Sequence, residues 1–441
     1  MKKAALHNLG CKVNAYETEM MEQMLREEGY EIVPFAPGAD VYVINTCSVT
    51  NIADRKSRQM LHRARKMNPD AIVVAAGCYV QTAGEDTGAD DAIDIILGNN
   101  KKNELIPALR AFMEDRGSMD DGPFTNLADL SNCRTYEDMQ LQQTHEHTRA
   151  YMKVQDGCNQ FCSYCIIPYA RGRVRSRRME DVLTEARQLS ENGCRELVLT
   201  GIHLSSYGTD TGSSLLELIR AVHEVPGIER IRLGSLEPGI ISEEFAQELK
   251  QLPKFCPHFH LSLQSGCDTV LKRMNRHYTA AQYAQACALL RDVFTDPALT
   301  TDVIVGFPGE TEEEFRQTVR FLEDLKLYET HIFKYSRRKG TRAAVIPDQI
   351  SEQVKAERSD VLIGLGLKNR DLFEHRWQGR QVQALMEECT NLDGKAYYTG
   401  YTKEYIRTAI PAEGQPDLTN VLVTGFLSEE LKEHVWLLKT E

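Results

Sequence analysis

The sequence lacks several features that would assign the protein to a specialised class. No stretch approaches the ~20 consecutive apolar residues that a membrane span requires. The lysines near the start are followed by His7 and Asn8 before an apolar segment develops, so we expect no signal peptide. We find no internal repeat and no low-complexity tract, which argues against solenoid and fibrous architectures. We therefore expect a cytoplasmic globular protein that does not associate with membranes.

The chain also has fewer basic than acidic side chains. The chain has 52 basic and 64 acidic side chains, which give a net charge of −12. This balance argues against a protein coated in nucleic acid, but it leaves room for a local basic groove. At roughly 150 residues per domain, the 441 residues suggest two to four domains.

Cysteine, in contrast, is abundant. The chain contains 12 cysteines, and the reducing cytoplasm disfavours disulfide bonds between them. We therefore interpret them as core residues, metal ligands or catalytic groups.

Alternating strand and helix patterns divide the chain into four segments. Residues 1–118 alternate short apolar runs with helical patterns, which predicts an α/β domain with a doubly wound parallel sheet. Residues 119–148 are polar and are interpreted as a connector. Residues 149–377 contain six βα units, fewer than the eight of a closed barrel, so we predict a partial (βα)6 barrel. Residues 378–441 contain four short strand candidates, typical of a small antiparallel β-barrel: Val382–Glu387, Ala396–Tyr401, Tyr405–Ile410 and Val421–Phe426.

One cysteine motif lies directly after the first strand of the third segment. Cys158, Cys162 and Cys165 in DGCNQFCSYCIIP have the spacing C-x3-C-x2-C. Three thiolates on one short loop can hold three corners of a 4Fe–4S cluster, which leaves one iron open to an exchangeable ligand. A structural zinc site normally has four ligands, and the next cysteine is the distant Cys194. Three cysteines used only for packing are the remaining alternative, but so close a group has no packing rationale.

This segment resembles the radical S-adenosylmethionine enzymes. The resemblance implies that the open iron binds the amino and carboxylate groups of S-adenosylmethionine. It also implies that electron transfer cleaves this cofactor to methionine and a 5′-deoxyadenosyl radical. The partial barrel predicted above agrees with the fold of that superfamily. The three cysteines would then be catalytic residues as well as metal ligands.

A second cysteine set is scattered along the first segment. Cys11, Cys47 and Cys78 each follow a predicted strand, in LHNLGC, VYVINTC and IVVAAGC. Because the carboxyl ends of parallel strands form a common crevice, the three thiols are expected to converge. Unrelated buried cysteines are the alternative. The neighbouring Gly10 and Gly77 favour a metal site, since glycine lets the backbone approach a bulky inorganic group.

The segments around these three cysteines together resemble the N-terminal domain of the methylthiotransferases. They are GCKVNAYETE, NTCSVTNIADRKSRQ and AAGCYVQ. The resemblance covers nearly the whole chain, because these enzymes also end in a small β-barrel called TRAM. It implies a second 4Fe–4S cluster on Cys11, Cys47 and Cys78, and a tRNA substrate. It also implies two roles for S-adenosylmethionine, as methyl donor and as radical source. An external electron donor of the flavodoxin or ferredoxin type and a sulfur source would be needed.

The motif GCKVN resembles the branch that adds a methylthio group to C2 of N6-threonylcarbamoyladenosine, 3′ of the anticodon. Other branches act on isopentenyladenosine in tRNA or on an aspartate of a ribosomal protein, and both remain alternatives. A non-enzymatic iron–sulfur sensor that binds RNA is a further hypothesis.

Polar residues and glycines at the carboxyl ends of the barrel strands are candidates for binding S-adenosylmethionine. By resemblance, the end of the second strand contacts the methionine part, and later strand ends contact the ribose, the carboxylate or adenine. The alternative for each residue is ordinary turn formation or helix capping. The candidates are Gly201, His203, Ser235, Glu237, Gln264 and Gly306.

Basic clusters stand out against the acidic total. Arg171, Arg173, Arg175 and Arg177 alternate, so on an extended segment they would share one face. Arg337 and Arg338 follow the sixth barrel strand, and a predicted helix at residues 52–67 carries a further basic cluster. Such clusters could contact RNA phosphates, although a solvated charged surface is the usual alternative. Residues 376–441 carry 7 basic and 10 acidic side chains, which weakens an RNA-binding role for the last segment.

Overall fold

The computed structural model describes residues 1–84, 90–115, 123–144 and 148–440. The first segment forms a sheet of six parallel strands in the order β2-β1-β3-β4-β5-β6. The strands are β1 (Lys3–Asn8), β2 (Glu31–Ile32), β3 (Val41–Thr46), β4 (Ile72–Gly77), β5 (Ile95–Leu97) and β6 (Phe124–Asn126). The central strands β3 and β4 are buried along their whole length, which is typical of a parallel sheet covered on both faces. β6 belongs to the segment interpreted as a connector, yet it completes this sheet.

Helices cover both faces of the first sheet. They are α1 (Lys12–Glu27), α2 (Asn51–Met67), α3 (Cys78–Ala83) and α4 (Leu105–Asp115). One apolar cluster joins Met21 of α1 to Leu109 of α4. A separate cluster includes Leu61 of α2 and Tyr79 of α3. Two cores separated by one sheet are the doubly wound arrangement that the sequence predicted.

The second unit is an open barrel of six parallel strands with one short antiparallel strand at its edge. Its strands are β7 (Arg149–Asp156), β8 (Arg175–Ser176, antiparallel), β9 (Glu196–Gly201), β10 (Arg230–Leu233), β11 (His258–His260), β12 (Ala298–Val305) and β13 (Glu329–Lys334). The strands pair in the orders β10-β9-β7-β8 and β11-β12-β13. Single parallel bridges, Ile231 with Phe255 and Leu236 with Leu261, connect the two groups. The partial barrel is therefore confirmed.

Helices surround this barrel and contribute to the main apolar core. They are α5 (Ile167–Arg171), α6 (Met179–Glu191), α7 (Leu215–His223), α8 (Glu243–Lys250), α9 (Asp268–Arg273), α10 (Ala280–Val293), α11 (Glu312–Leu325) and α12 (Glu352–Trp377). Several begin with a serine or threonine cap, and Ser214, Thr279 and Thr311 form complete capping boxes. In the described ranges, no helix has both the length and the apolar character needed to cross a bilayer.

The C-terminal unit is a closed five-stranded barrel. Its strands are β14 (Gln381–Leu392), β15 (Lys395–Thr402), β16 (Arg407–Pro411), β17 (Leu422–Lys432) and β18 (Val435–Lys439), and they close in the order β14-β15-β16-β18-β17. The sequence predicted four strands and missed β18. β16 and β18 pair in parallel while all other pairs are antiparallel. One parallel pair is unavoidable, because an odd number of strands cannot alternate in direction around a closed ring.

This barrel docks on the amino-terminal ends of the central strands. Arg230, near the start of β10, donates to the carbonyl oxygens of Tyr401 at 2.8 Å and Gln383 at 2.5 Å. Arg149, at the start of β7, forms an ion pair with Glu387 at 2.6 Å. The ring of His258, at the start of β11, stacks on Tyr405 with centroids 4.8 Å apart. The opposite, carboxyl ends of the strands are thereby left for the cysteine loop.

Arg232 is central to this docking interface. Its guanidinium is buried and donates to Glu196 Oε1 at 2.8 Å and to the carbonyl oxygen of Lys403 at 2.9 Å. We predict that Arg232→Ala destabilises the protein by about 3–5 kcal/mol, because it removes the shortest ion pair of the buried Glu196 carboxylate and leaves the longer one with Arg230 at 3.6 Å. The thermal unfolding midpoint of the variant measures this loss.

The matched control is Arg178→Ala. Arg178 forms an ion pair with Asp181 of the same 2.8 Å length, but its side chain is 75% exposed. Exposed pairs contribute about 0–1 kcal/mol, so the control should unfold close to the wild-type midpoint. Equal, small effects of the two substitutions would contradict the role assigned to Arg232.

Candidate active site

The first cysteine set lies in the loop between β7 and α5. This loop is held by backbone hydrogen bonds from the Cys158 N–H to the Gly172 carbonyl oxygen at 3.0 Å and from the Ser163 N–H to the Met274 carbonyl oxygen at 2.9 Å. A side chain at Gly157 would meet the Arg173 carbonyl oxygen at 1.8 Å, so only glycine fits where the loop begins. The loop is thus fixed at both ends and presents Cys158, Cys162 and Cys165 together.

Two of the three thiols of this loop are hard to ionise without a cation. Burial raises the pKa of Cys158 to about 11. Burial and the neighbouring Cys162 raise the pKa of Cys165 to about 12. Iron binds thiolates, so metal binding must release protons from these two residues. Two such thiols crowded against a third cysteine suit an iron–sulfur cluster.

A polar group lies against this loop at the carboxyl ends of β9 and β10. His203 Nε2 is 3.2 Å from Glu237 Oε2, and the amide of Gln160 lies 3.4 Å from His203 and 3.2 Å from Glu237. Arg276 bridges the group to the thiols, since it donates to Cys162 Sγ at 3.1 Å and pairs with Glu237 at 2.8 Å. The sequence predicted His203 and Glu237 but missed Gln160 and Arg276.

The neighbours of Glu237 stabilise its ionised carboxylate. Burial opposes ionisation of Glu237, but the hydrogen bond with His203 and the charge of Arg276 outweigh it and lower its pKa. Glu237 is therefore a carboxylate at neutral pH. A carboxylate and a guanidinium beside the thiols are suited to a zwitterionic ligand such as an amino acid.

The other predicted cofactor contacts occupy different environments. Gly201 faces Gln155, whose Oε1 accepts the His203 N–H at 2.7 Å, and a Cβ at Gly201 would lie 2.8 Å from that oxygen. Ser235 is exposed.

Gln264 has a φ of 71° and its N–H donates to the Asp302 carbonyl oxygen at 2.8 Å. Gly306 has no room for a Cβ, because Lys355 of α12 would lie 2.3 Å away. Binding of S-adenosylmethionine by these residues stays a prediction.

The second cysteine set lies at the carboxyl ends of β1, β3 and β4, as the strand pattern predicted. A Cβ at Gly10 would lie 3.0 Å from both Cβ and Sγ of Cys47, so the β1 and β3 ends are in contact. Burial raises the pKa of Cys47 to about 11, and the Cys78 and Cys11 thiolates add to this rise. Cys78 Sγ accepts a hydrogen bond from the Asn99 amide at 3.4 Å. The three thiols therefore share one electrostatic neighbourhood.

A cavity of about 220 Å³ is lined from both domains, by segments that follow Cys47 and that lie between Cys162 and Cys165 in the chain. Val49 and Thr50 line it from the segment after Cys47, and Tyr164 lines it from between Cys162 and Cys165. The barrel contributes Gln264, Asp302 and Phe333, among others. A flat ring bound there would therefore lie between the segments that carry the two sets.

Buried ion pairs fix the two sets relative to each other. Arg171, in the helix after the cysteine loop, donates to Glu17 Oε1 of α1 at 2.8 Å and to Asn14 Oδ1 at 2.7 Å. Lys153 of β7 donates to Glu17 at 2.8 Å. Burial opposes the ionisation of Glu17, but these cations hold its pKa well below the usual range.

Four of the six predicted RNA contacts are buried in the structure: Arg171, Arg175, Arg177 and Arg338. Arg171 ends helix α5, so the run is not extended there. The buried arginines instead neutralise buried acids, with Arg175 3.7 Å from Asp156 and Arg177 2.7 Å from Glu185. Arg338 is buried against Asp54 and Ser48. Alternation showed that some of these side chains share a face, but it could not show that the face is covered.

Two of the predicted RNA contacts remain accessible. Arg173 is half-buried over the Phe161 ring, 4.7 Å from its centroid, and Arg337 is exposed. Exposed cations of α2 line a further surface groove: Arg55, Arg58, Arg63 and Lys66. A neighbouring groove of about 560 Å³ is lined by Arg58, Tyr79, Tyr169 and Lys339. Basic and aromatic side chains thus surround the approach to the two cysteine sets.

Two family descriptions match separate parts of the chain. Residues 152–322 match the Radical SAM superfamily. Residues 3–98 match a family described as uncharacterized protein family UPF0004. The first range contains Cys158, Cys162 and Cys165, and the second contains Cys11, Cys47 and Cys78.

Relatives similar over most of the chain carry related names. The chain is 39% identical over 426 residues to Threonylcarbamoyladenosine tRNA methylthiotransferase MtaB of Bacillus subtilis, covering 96% of this chain and 93% of that protein. It is 34% identical to tRNA-2-methylthio-N(6)-dimethylallyladenosine synthase of Acetivibrio thermocellus, covering 91% and 84%. Among solved structures, the radical S-adenosylmethionine methyltransferase TsrM from Kitasatospora setae superposes with a TM-score of 0.57 at 17% identity, covering 78% and 74%. This last likeness shows a shared fold.

Proposed function

We propose a function for this chain from one premise: it belongs to the radical S-adenosylmethionine methylthiotransferases. It is a tRNA methylthiotransferase that adds a methylthio group to C2 of N6-threonylcarbamoyladenosine, 3′ of the anticodon. Relatives named for this activity are 33–39% identical over most of the chain. Its cofactors are S-adenosylmethionine and two 4Fe–4S clusters.

The observation that carries this proposal is the cavity lined from both domains, by residues next to Cys47 of one set and next to Cys162 and Cys165 of the other. Cys158, Cys162 and Cys165 would hold the cluster that binds S-adenosylmethionine, and Cys11, Cys47 and Cys78 would hold the second cluster. When bound, these groups supply the radical that removes hydrogen from C2 and the methylthio group that replaces it. The protein orients the target adenine in the cavity and shields it from solvent.

The polar group beside the first loop would bind the amino-acid part of S-adenosylmethionine. Glu237 is ionised and offers an acceptor to the ammonium group, and Arg276 offers donors to the carboxylate. Gln160 and His203, which lie 3.4 Å apart, would contact the same part of the cofactor. Arg276 also donates to Cys162 Sγ at 3.1 Å, which joins this polar group to the cysteine loop.

The RNA would approach over the basic and aromatic grooves beside α2, one of which is lined from both domains. Arg58 and Lys339 are placed for phosphates, and Tyr169 is 51% exposed and offers a stacking surface. Because its substrate is tRNA, we expect the enzyme to act in the cytoplasm. An external electron donor of the flavodoxin or ferredoxin type and a sulfur source would complete the system.

The direct test is mass spectrometry of tRNA nucleosides from a host that lacks this activity. Expression of the gene should produce 2-methylthio-N6-threonylcarbamoyladenosine, whereas an empty vector should not. Appearance of the isopentenyl product instead would move the enzyme to that branch. Unchanged tRNA from cells with iron-loaded protein would refute the tRNA assignment and favour a ribosomal-protein target.

A second prediction separates the two cysteine sets. The wild-type protein should bind about eight irons, and Cys162→Ala and Cys47→Ala should each bind about four. Cys162→Ala should abolish reductive cleavage of S-adenosylmethionine, because the open iron is lost. Cys47→Ala should retain cleavage and lose methylthiolation.

Cys256→Ala is the matched control for both variants, because Cys256 is fully buried and lies outside both sets. Its iron content should stay at the wild-type value. Methylthiolated product from Cys47→Ala would refute the role of the second set.

A further inference from the structure

Three side chains with metal-binding chemistry meet inside the partial barrel. His260, Asp302 and His331 lie on the neighbouring strands β11, β12 and β13. Asp302 and His331 are direct cross-strand partners, and His260 is the partner of Thr300 on the same face of β12. The alternate residues Val303 and Val305 face the other way, into the main core. The three side chains therefore point into the lumen, away from the surrounding helices.

The distances suit a shared cation better than a direct ion pair. All three ligand atoms lie within 4.8 Å of one another, and His260 Nε2 is 3.4 Å from Asp302 Oδ2. A charge-assisted hydrogen bond would be about 2.7–2.9 Å long. Two ligands of a tetrahedral zinc ion, each about 2.1 Å from the metal, are about 3.4 Å apart. The observed separation equals that ligand-to-ligand spacing.

The orientation of the His260 ring is an independent indication of a metal site. Its Nδ1 lies 3.0 Å from the Thr300 hydroxyl, which fixes the ring. Its Nε2 is buried and has no hydrogen-bond partner. An imidazole held by a hydrogen bond at one nitrogen, with the other nitrogen free toward a carboxylate and a second imidazole, is the arrangement of a metal-ligating histidine.

Three cations lie near His258, at the start of β11: Arg149, Arg232 and Lys12. Arg149 is paired with Glu387 at 2.6 Å, and Arg232 with Glu196 at 2.8 Å. Burial and the charges of these two arginines lower the pKa of Lys12 to about 8. The arginines are therefore compensated, and Lys12 holds its proton less tightly than an exposed lysine.

We propose that His260, Asp302 and His331 bind a divalent transition-metal ion of the zinc class. Two imidazoles and one carboxylate suit zinc, iron(II) or cobalt(II), and disfavour magnesium and calcium, which prefer oxygen ligands. Three protein ligands leave at least one coordination position open. Because Asp302 also lines the cavity that both domains enclose, this position is accessible to water or to an oxygen anion of a bound substrate. The site is separate from both cysteine sets.

Zinc binding to the reconstituted holoenzyme tests the proposal. Both clusters are first filled, loosely bound metal is removed with a chelating resin, and Zn²⁺ is titrated by equilibrium dialysis. Wild-type protein should bind one equivalent of zinc while its iron and sulfide contents stay constant. His331→Ala should weaken binding at least tenfold. His331 is exposed, so this variant is expected to fold normally.

Two further variants sharpen the test. Thr300→Val should weaken zinc binding about tenfold, because loss of a hydrogen bond to a ligating imidazole typically costs 10–100-fold in affinity. His62→Ala is the matched control, since His62 Nε2 lies 3.3 Å from Asp90 Oδ2 on an exposed surface. No second imidazole joins that pair in the described part of the chain. The control should bind zinc like the wild type.

Wild-type zinc binding no tighter than that of His331→Ala would overturn the proposal. Equal weakening in His62→Ala would also overturn it, because binding would then reflect surface histidines in general. Both outcomes are independent of methylthiolation, so they leave the proposed function untouched.

Discussion

The buried guanidinium of Arg171 is the contact on which the arrangement of the active site depends. It joins the helix after the first cysteine loop to Glu17 and Asn14 of α1, the helix that begins directly after Cys11. It also lies 3.2 Å from Asp156, which precedes the cysteine loop. Lys153 and Lys102 complete the charge balance around Glu17. The two domains are thereby held in one relative position.

Such buried ion pairs contribute little net stability, because desolvation offsets their attraction. Removing one partner is costly, however, since the remaining charges stay buried without compensation. The network therefore enforces the relative position of the domains more than it stabilises the fold. That position matters here, because the cavity is lined from both domains, by residues next to Cys47 and next to Cys162 and Cys165. The C-terminal barrel docks at the opposite ends of the strands and leaves this side open.

The sequence predicted the fold class, the partial barrel and the position of each cysteine, because strand periodicity and local spacing determine these features. The arginine run shows where such reasoning fails. Alternation places side chains on one face, but whether Arg175 and Arg177 are exposed depends on Asp156 and Glu185, which are brought there by tertiary packing. Arg276 was missed because it approaches Cys162 from a turn far along the chain. The trio of His260, Asp302 and His331 was missed because its members lie on three strands.

The central claim is that the target adenine lies in the cavity lined from both domains. Its C2 would then face the loop that carries Cys158, Cys162 and Cys165. The most direct measurement uses tRNA carrying N6-threonylcarbamoyladenosine with deuterium at C2. Holoenzyme turnover should transfer that deuterium to 5′-deoxyadenosine, detected by mass spectrometry, in step with loss of the label from the RNA. Methylthiolated product accompanied by unlabelled 5′-deoxyadenosine would contradict this account of the site.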